Sequence, residues 1–186
     1  MLTQRDGTLM LTGSAEGYFH PEQPMQQLVR EIMTDISGLP AQSILWATDG
    51  CNLPAPAFPL HILALSYARL AAGISMPQPH AASLNVLYEA MADYPELIGG
   101  KGRFCTVLGD AFNGALVGKS GADACYAIAV RESPETRKLG ASGALGVAVK
   151  IEDDSIEALY SEVCALLAMF GLTRRLRHFI FQICAT

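Results

Sequence analysis

The sequence predicts an α+β fold in which helices pack on a mainly antiparallel sheet. Three observations predict it. Apolar residues follow helical spacing through the first half of the chain, short β-branched runs separated by glycines follow from about residue 100, and an amphipathic segment comes last. The chain has 186 residues, of which 51% are hydrophobic, and this is enough to bury a substantial core.

Four segments carry helical signals. The first begins at Pro24, and Gly38 is expected to end it. Leu60 to Ala72 is rich in small residues and predicts a closely packed second helix, and Ala81 to Asp93 predicts a third. The last helix is expected over Ser155 to Met169, with Ser155 as its N-cap.

The strand signals are shorter. Ile44 to Trp46 predicts a short buried strand, which leads into the turn Asp49-Gly50-Cys51. Four further strands are predicted at Phe104 to Leu108, Ala115 to Val117, Cys125 to Val130 and Leu145 to Ile151. Short connections between three of them favour antiparallel pairing.

Charge and composition exclude several classes of protein. The formal net charge of −5 argues against a nucleic-acid partner. No run of about eighteen apolar residues is present, so a membrane span is not expected. The first residues lack the apolar stretch of a secretory signal, which makes the cytoplasm the expected compartment. The five cysteines are scattered, with no C-x-x-C pair, and this favours reduced thiols over a disulfide framework.

Asp49-Gly50-Cys51 is the segment most typical of a functional site. A cysteine just after a strand, beside a glycine that frees the backbone, is positioned to act as a metal-binding thiolate or a nucleophile. The structural alternative is a small side chain in a turn. Spacing alone favours that alternative, because no second cysteine is close in sequence.

Lys119-Ser120-Gly121 is the second candidate. A lysine near a strand end, followed by a small hydroxyl residue and glycine, resembles the K-T-G element of penicillin-binding proteins and serine β-lactamases. The tripeptide is also common by chance in turns. Its partner motif S-x-x-K does not occur in the sequence, because no lysine follows a serine by three residues.

Several segments resemble, in order, those of the asparaginase II family, the rhizobial-type L-asparaginases. Their family patterns are G-Y-[LF]-x-P-x-H-P-x-Q, D-G-C-x-x-P, G-x-G-R-F, L-V-x-K-x-G-A-[ED]-x-x-Y and G-V-A-x-K-[IV]-x-D. They correspond here to Gly17 to Gln26, Asp49 to Pro54, Gly100 to Phe104, Leu116 to Tyr126 and Gly146 to Asp153. The resemblance runs from about residue 17 to about residue 172. It predicts a single domain over 1–172 and a divergent basic and apolar tail over 173–186.

The resemblance implies a fold similar to the serine β-lactamases and penicillin-binding proteins. It also implies hydrolysis of the small amide L-asparagine to aspartate and ammonia, without an organic cofactor. In this family two Ser–Lys tandems lie near a zinc held by two cysteines and a lysine. Carried over by position, Lys119 matches a catalytic lysine, Cys51 a zinc-binding cysteine and Asp49 the acidic residue beside it, which we expect to bind substrate.

The sequence also departs from the family pattern. The S-x-x-K helix and a C-S-G-K-H-A segment are not found, and Ala122 to Cys125 replaces the usual A-E-G-V. We therefore expect an N-terminally truncated chain whose zinc site is incomplete and whose activity needs residues supplied from outside it. Two alternatives stay open, a non-catalytic remnant that acts as an interaction module and a thiol or metal-binding module centred on Cys51. A homodimer also stays open.

Overall fold

The computed structural model describes residues 9–73 and 80–172, and the chain divides into two units after Pro59. The elements of the first unit are α1 (Pro24–Ser37), a 3-10 turn (Ala41–Ser43), β1 (Leu45–Thr48) and β2 (Pro54–Ala57). The second unit contains α2 (Leu60–Ala72), α3 (His80–Asp93), α4 (Pro95–Gly99), α5 (Phe104–Phe112), β3 (Leu116–Gly121), β4 (Cys125–Val130), α6 (Pro134–Lys138), β5 (Leu145–Lys150) and α7 (Ile156–Met169). The predicted α+β class is confirmed.

In the first unit, α1 begins and ends where the sequence predicts. Pro24 occupies its first turn, and Gly38 ends it with φ of 71° while its N–H donates to the Thr34 carbonyl. The guanidinium of Arg30 lies 4.3 Å from the centre of the Trp46 ring, and this contact ties the helix to β1.

Strands β1 and β2 form an antiparallel hairpin in which Thr48 pairs with Pro54. The prediction of a buried strand at Ile44 to Trp46 is right in type but wrong in burial. Ile44 is buried, whereas Leu45 is 70% exposed and the strand extends to Thr48. An apolar run of this kind favours a core position, but a two-stranded hairpin leaves one face of such a strand to solvent.

The second unit is built on a three-stranded antiparallel sheet in the order β3-β4-β5. One face packs on α5 and α7, whose side chains share a core with alternate residues of β4, namely Tyr126, Ile128 and Val130. The opposite face packs on α2. There a Cβ at Gly146 would lie 1.8 Å from the Ala64 carbonyl oxygen, so the helix backbone rests directly on β5.

Helix α7 confirms the predicted N-cap, because Ser155 Oγ accepts a hydrogen bond from the Ala158 N–H. Its residues Leu159, Val163 and Leu167 have no exposed surface. The last helix is thus amphipathic for the reason that its spacing predicted.

The predicted strand at Phe104 to Leu108 is wrong, because the segment is the first part of helix α5. Buried residues recur at Phe104, Leu108 and Phe112, which is the four-residue spacing of one helix face. Thr106 anchors the first turn, since its single hydroxyl proton is shared between the carbonyls of Gly100 at 2.6 Å and Pro95 at 3.1 Å. Tertiary packing therefore overrides the β-propensity of the run.

The basic and apolar tail predicted for residues 173–186 lies outside the described residues, and the 1–172 domain boundary stays a prediction. In the described part of the chain, no helix combines the length and the apolar character that crossing a bilayer requires.

Candidate functional site

Asp49 organises the turn that joins β1 to β2. Its Oδ1 accepts hydrogen bonds from the backbone N–H of Cys51 at 2.8 Å and of Leu53 at 2.9 Å. The Asp49 N–H donates in turn to the Leu53 carbonyl, and the Asn52 N–H donates to the Asp49 carbonyl. One carboxylate oxygen thus holds the turn in shape, which is a common role for aspartate at such positions.

Cys51 lies at the tip of the same turn as an exposed free thiol. The next residue, Asn52, has φ of 63°, a left-handed conformation that asparagine tolerates better than most residues. The thiol is therefore accessible to reagents and to metal ions, in a turn that the hydrogen bonds of Asp49 stabilise.

Zinc binding through Cys51 stays a prediction. A structural or catalytic zinc takes three or four protein ligands from cysteine, histidine and carboxylate side chains. Within residues 9–73 and 80–172, no group of three such side chains is arranged to hold a metal. Cys51 is an exposed thiol and could contribute one ligand at most.

Lys119 lies on β3, opposite Ala127 of β4, and is exposed. Its Nζ donates to the carbonyl oxygen of the next residue, Ser120, at 2.5 Å. Paired residues of antiparallel strands point to the same face, so the Lys119 side chain shares its face with Ala127. Ser120, one residue on, points to the face that carries α5 and α7.

Sequence analysis missed the thiol that meets this strand from the buried side. Cys105 of α5 is 4% exposed, and its Sγ lies 3.6 Å from Ser120 Oγ and accepts from the Ser120 N–H at 3.4 Å. The G-x-G-R-F motif ends at Phe104, one residue before Cys105. The pairing of Cys105 with Ser120 spans fifteen residues and carries no local signal.

Tyr126 of β4 pairs with Ser120 and lies near the Cys105 thiol. Its ring lies over Gly118, where a Cβ would come within 2.7 Å of both ring and hydroxyl, so only glycine fits. The hydroxyl is buried with no hydrogen-bond partner of acceptable geometry among the described residues. Burial, followed by the neighbouring Cys105 thiol, holds the pKa of Tyr126 far above its ordinary value.

Tyr67 of α2 belongs to the same neighbourhood. Burial raises the pKa of Tyr67 to about 12, and the thiols of Cys105 and Cys125 add to the effect. Partly buried tyrosine and cysteine side chains thus lie near the end of β3 and the start of β4, close to the exposed amine of Lys119.

The structure thus groups the predicted site residues in two places. Asp49 and Cys51 share one turn of the first unit, and Lys119 lies in the second unit with Ser120 and Cys105. Their convergence on one active site stays a prediction.

A further polar cluster surrounds Arg131, which follows β4. Its guanidinium stacks 4.1 Å from the centre of the Tyr88 ring and pairs with Glu89. Burial raises the pKa of Tyr88 to about 12, although the Arg131 charge opposes the rise. A cavity of about 330 Å³ lies beside this cluster. The contacts join α3 to the sheet, and a structural role explains them without a ligand.

Comparison with known families supports the resemblance found in the sequence. The family model described as L-asparaginase II matches residues 7–180, which begins earlier and ends later than the motif resemblance. The comparison with curated proteins found no match. Because the match spans most of the chain, this protein belongs to the L-asparaginase II family, a family of asparaginase-type amidohydrolases.

Proposed function

We propose that the protein acts in the hydrolysis of L-asparagine to L-aspartate and ammonia. The observation that carries the proposal is the family match over residues 7–180. The α+β architecture supports it, since helices on both faces of an antiparallel sheet are also what likeness to the serine β-lactamases implies.

Lys119 is the proposed basic group. In a Ser–Lys tandem a neutral amine accepts the proton of a serine hydroxyl, and the alkoxide oxygen then attacks the side-chain amide carbon. The lysine ammonium returns the proton to the amide nitrogen, which leaves as ammonia, and water then hydrolyses the resulting ester to aspartate and free serine. Lys119 is exposed, and its amine donates to the Ser120 carbonyl. These two features support the proposal, because the amine is accessible to a serine hydroxyl and is held in one place. Its serine partner is not in an S-x-x-K motif of these 186 residues.

Asp49 is the proposed substrate-binding residue. Its Oδ1 is engaged by its own turn, and this fixes the carboxylate and leaves Oδ2 as the oxygen for the α-ammonium group of asparagine. Cys51 is the proposed zinc donor from the same turn. Zinc, when bound, would supply a fixed positive charge near the substrate, and it would need ligands besides Cys51, since no group of three is arranged for a metal in residues 9–73 and 80–172.

The test is ammonia release from L-asparagine by the purified chain, with and without added zinc. Lys119→Ala is compared with Lys138→Ala, an exposed lysine on α6 that serves as the matched control. Turnover that disappears only in Lys119→Ala supports the proposal. Turnover that survives Lys119→Ala removes Lys119 from the mechanism.

A second candidate function is a non-catalytic interaction module. It is favoured by the absence of an S-x-x-K motif from the sequence. A folded chain that neither releases ammonia nor binds asparagine in calorimetry supports this candidate. Sedimentation analysis of the same sample then shows whether two copies associate.

A further inference from the structure

Two side chains form hydrogen bonds with the backbone N–H and C=O of Ser120, on the side of β3 that faces away from β4. The Ser120 N–H donates to Cys105 Sγ at 3.4 Å, and its carbonyl accepts from Lys119 Nζ at 2.5 Å. In an antiparallel strand the N–H and C=O of one residue point to the same side. Both groups of Ser120 therefore face away from β4, which is the strand that pairs with β3 in the described residues.

The position of Cys105 is set by the packing around it. Gly99 lies so close that a Cβ there would be 2.9 Å from the Cβ of Cys105. The preceding residue, Phe104, stacks on Tyr160 and meets Tyr126 edge-on, so the first turn of α5 is fixed on the sheet. The thiol consequently meets Ser120 from a rigid element.

We propose that Cys105 is a positioning residue for the amine of Lys119. The thiol holds the backbone N–H and the hydroxyl of Ser120 from the buried side. The Ser120 carbonyl is thereby held where the Lys119 amine reaches it. The placement follows from the contacts alone, whereas its value for catalysis rests on the proposed function of Lys119.

The test removes the thiol while keeping the fold. Cys105→Ala and Cys105→Val take away the sulfur acceptor, and valine keeps most of the volume if alanine loosens the core. Cys105→Ser keeps a hydroxyl that donates and accepts, and it is the conservative rescue. Cys164→Ala is the matched control, because Cys164 is also 4% exposed and belongs to the same core.

Two readouts are independent of asparagine. Hydrogen exchange of the Ser120 amide is expected to accelerate about tenfold in Cys105→Ala and Cys105→Val, because one hydrogen bond is lost. Competitive acetylation of Lys119, with Lys138 as the internal reference, is expected to accelerate roughly threefold as the amine leaves the carbonyl. Cys105→Ser is expected to restore both rates in part, and Cys164→Ala to change neither.

Wild-type rates in both Cys105→Ala and Cys105→Val would overturn the proposal. Equal acceleration in Cys164→Ala would overturn it as well, because the cause would then be a general loosening of the core. If Lys119 responds as expected and ammonia release is absent, the positioning role stands and the proposed function fails. If turnover depends on Lys119 but the acetylation rate of Lys119 is the same in the Cys105 variants as in the wild type, the positioning role is wrong and the proposed function stands.

Discussion

The β1–β2 and β3–β4 hairpins both carry predicted site residues, yet they are held by different kinds of contact. The turn of the first is exposed and is organised by Asp49, whose partners lie two and four residues away. The second belongs to a sheet buried between helices, and its partner Cys105 lies fifteen residues from Ser120. The first hairpin is thus a local structure, whereas the second depends on long-range packing.

The largest effect is expected at the sheet that contains the second hairpin. Gly146→Ala places a Cβ against the backbone of α2, which has no side-chain freedom to yield. Unfolding free energy should fall by about 3 kcal/mol, at the upper end for overpacking. Gly143→Ala is the control, because nothing lies within 4 Å of its added Cβ. Urea denaturation of both variants measures the difference, and equal midpoints would contradict the close approach of α2.

Gly118→Ala should have the next largest effect, within the second hairpin itself. Its Cβ meets the ring of Tyr126, which is fully buried and has little room to move. A loss of about 2 kcal/mol is expected from this overpacking. Gly121→Ala lies on the same strand and makes only an ordinary 3.5 Å contact, so it should unfold close to the wild-type midpoint. A comparable loss in both variants would show that strand propensity, not the Tyr126 ring, sets the cost.

Alkaline pH should weaken the surroundings of the second hairpin through Tyr67. Its pKa is about 12 in the folded protein and about 10 when unfolded. The group keeps its proton longer in the folded state, so its stabilisation is complete below pH 10 and is lost as pH rises toward 12. Tyr67→Phe should therefore lose less stability over that interval than the wild type, whereas Tyr94→Phe, at an exposed tyrosine, should follow the wild type. Denaturation midpoints across the interval decide between them.

A change in the first hairpin should cost less and stay local. Asp49→Ala removes an acceptor for two backbone N–H groups in an exposed turn, and a loss of about 1 kcal/mol is expected. Asp49→Asn keeps an oxygen at Oδ1 and should lose less. Amide exchange of Cys51 and Leu53 reports the change directly. Accelerated exchange at Ser120 as well would show that the two hairpins are coupled.

The smallest effect is expected from the turns of the two hairpins, where non-glycine residues have a positive φ. Ala124 has φ of 46° and Asn52 has φ of 63°, and alanine tolerates this region less well than asparagine. Ala124→Gly should raise the unfolding free energy by about 0.5 kcal/mol, since relief of strain exceeds the loss of one buried methyl group. Asn52→Gly should change it less. Thermal unfolding is the measurement, and a destabilised Ala124→Gly would show that the methyl contact matters more.

Signals within a few residues predicted most of the fold correctly. Gly38 ends α1, Ser155 caps α7, and the turn at Asp49 follows β1, each through contacts between near neighbours in sequence. Leu60–Ala72 also agrees with its predicted bounds, because its small residues are needed where α2 rests on the sheet.

Signals that depend on distant partners were missed. Phe104 to Leu108 has the composition of a strand, and only the sheet beneath it shows why it is helical. The contact between Cys105 and Ser120 was missed for the same reason, because the two residues lie fifteen positions apart. Of the candidate site, the sequence indicated Lys119, Asp49 and Cys51, whereas the groups that fix the strand of Lys119 required the three-dimensional structure.

The two side chains at Ser120 also bear on how the protein behaves when concentrated. An edge strand with unpaired backbone groups is a template on which another chain can add a strand and begin an aggregate. At Ser120 that template is interrupted, because the thiol of Cys105 and the amine of Lys119 occupy the groups a foreign strand would need. Acetylation of Lys119 would free the Ser120 carbonyl for strand pairing, whereas the Ser120 N–H would stay bonded to Cys105. Higher turbidity of the acetylated protein would then show that Lys119 protects this strand from aggregation.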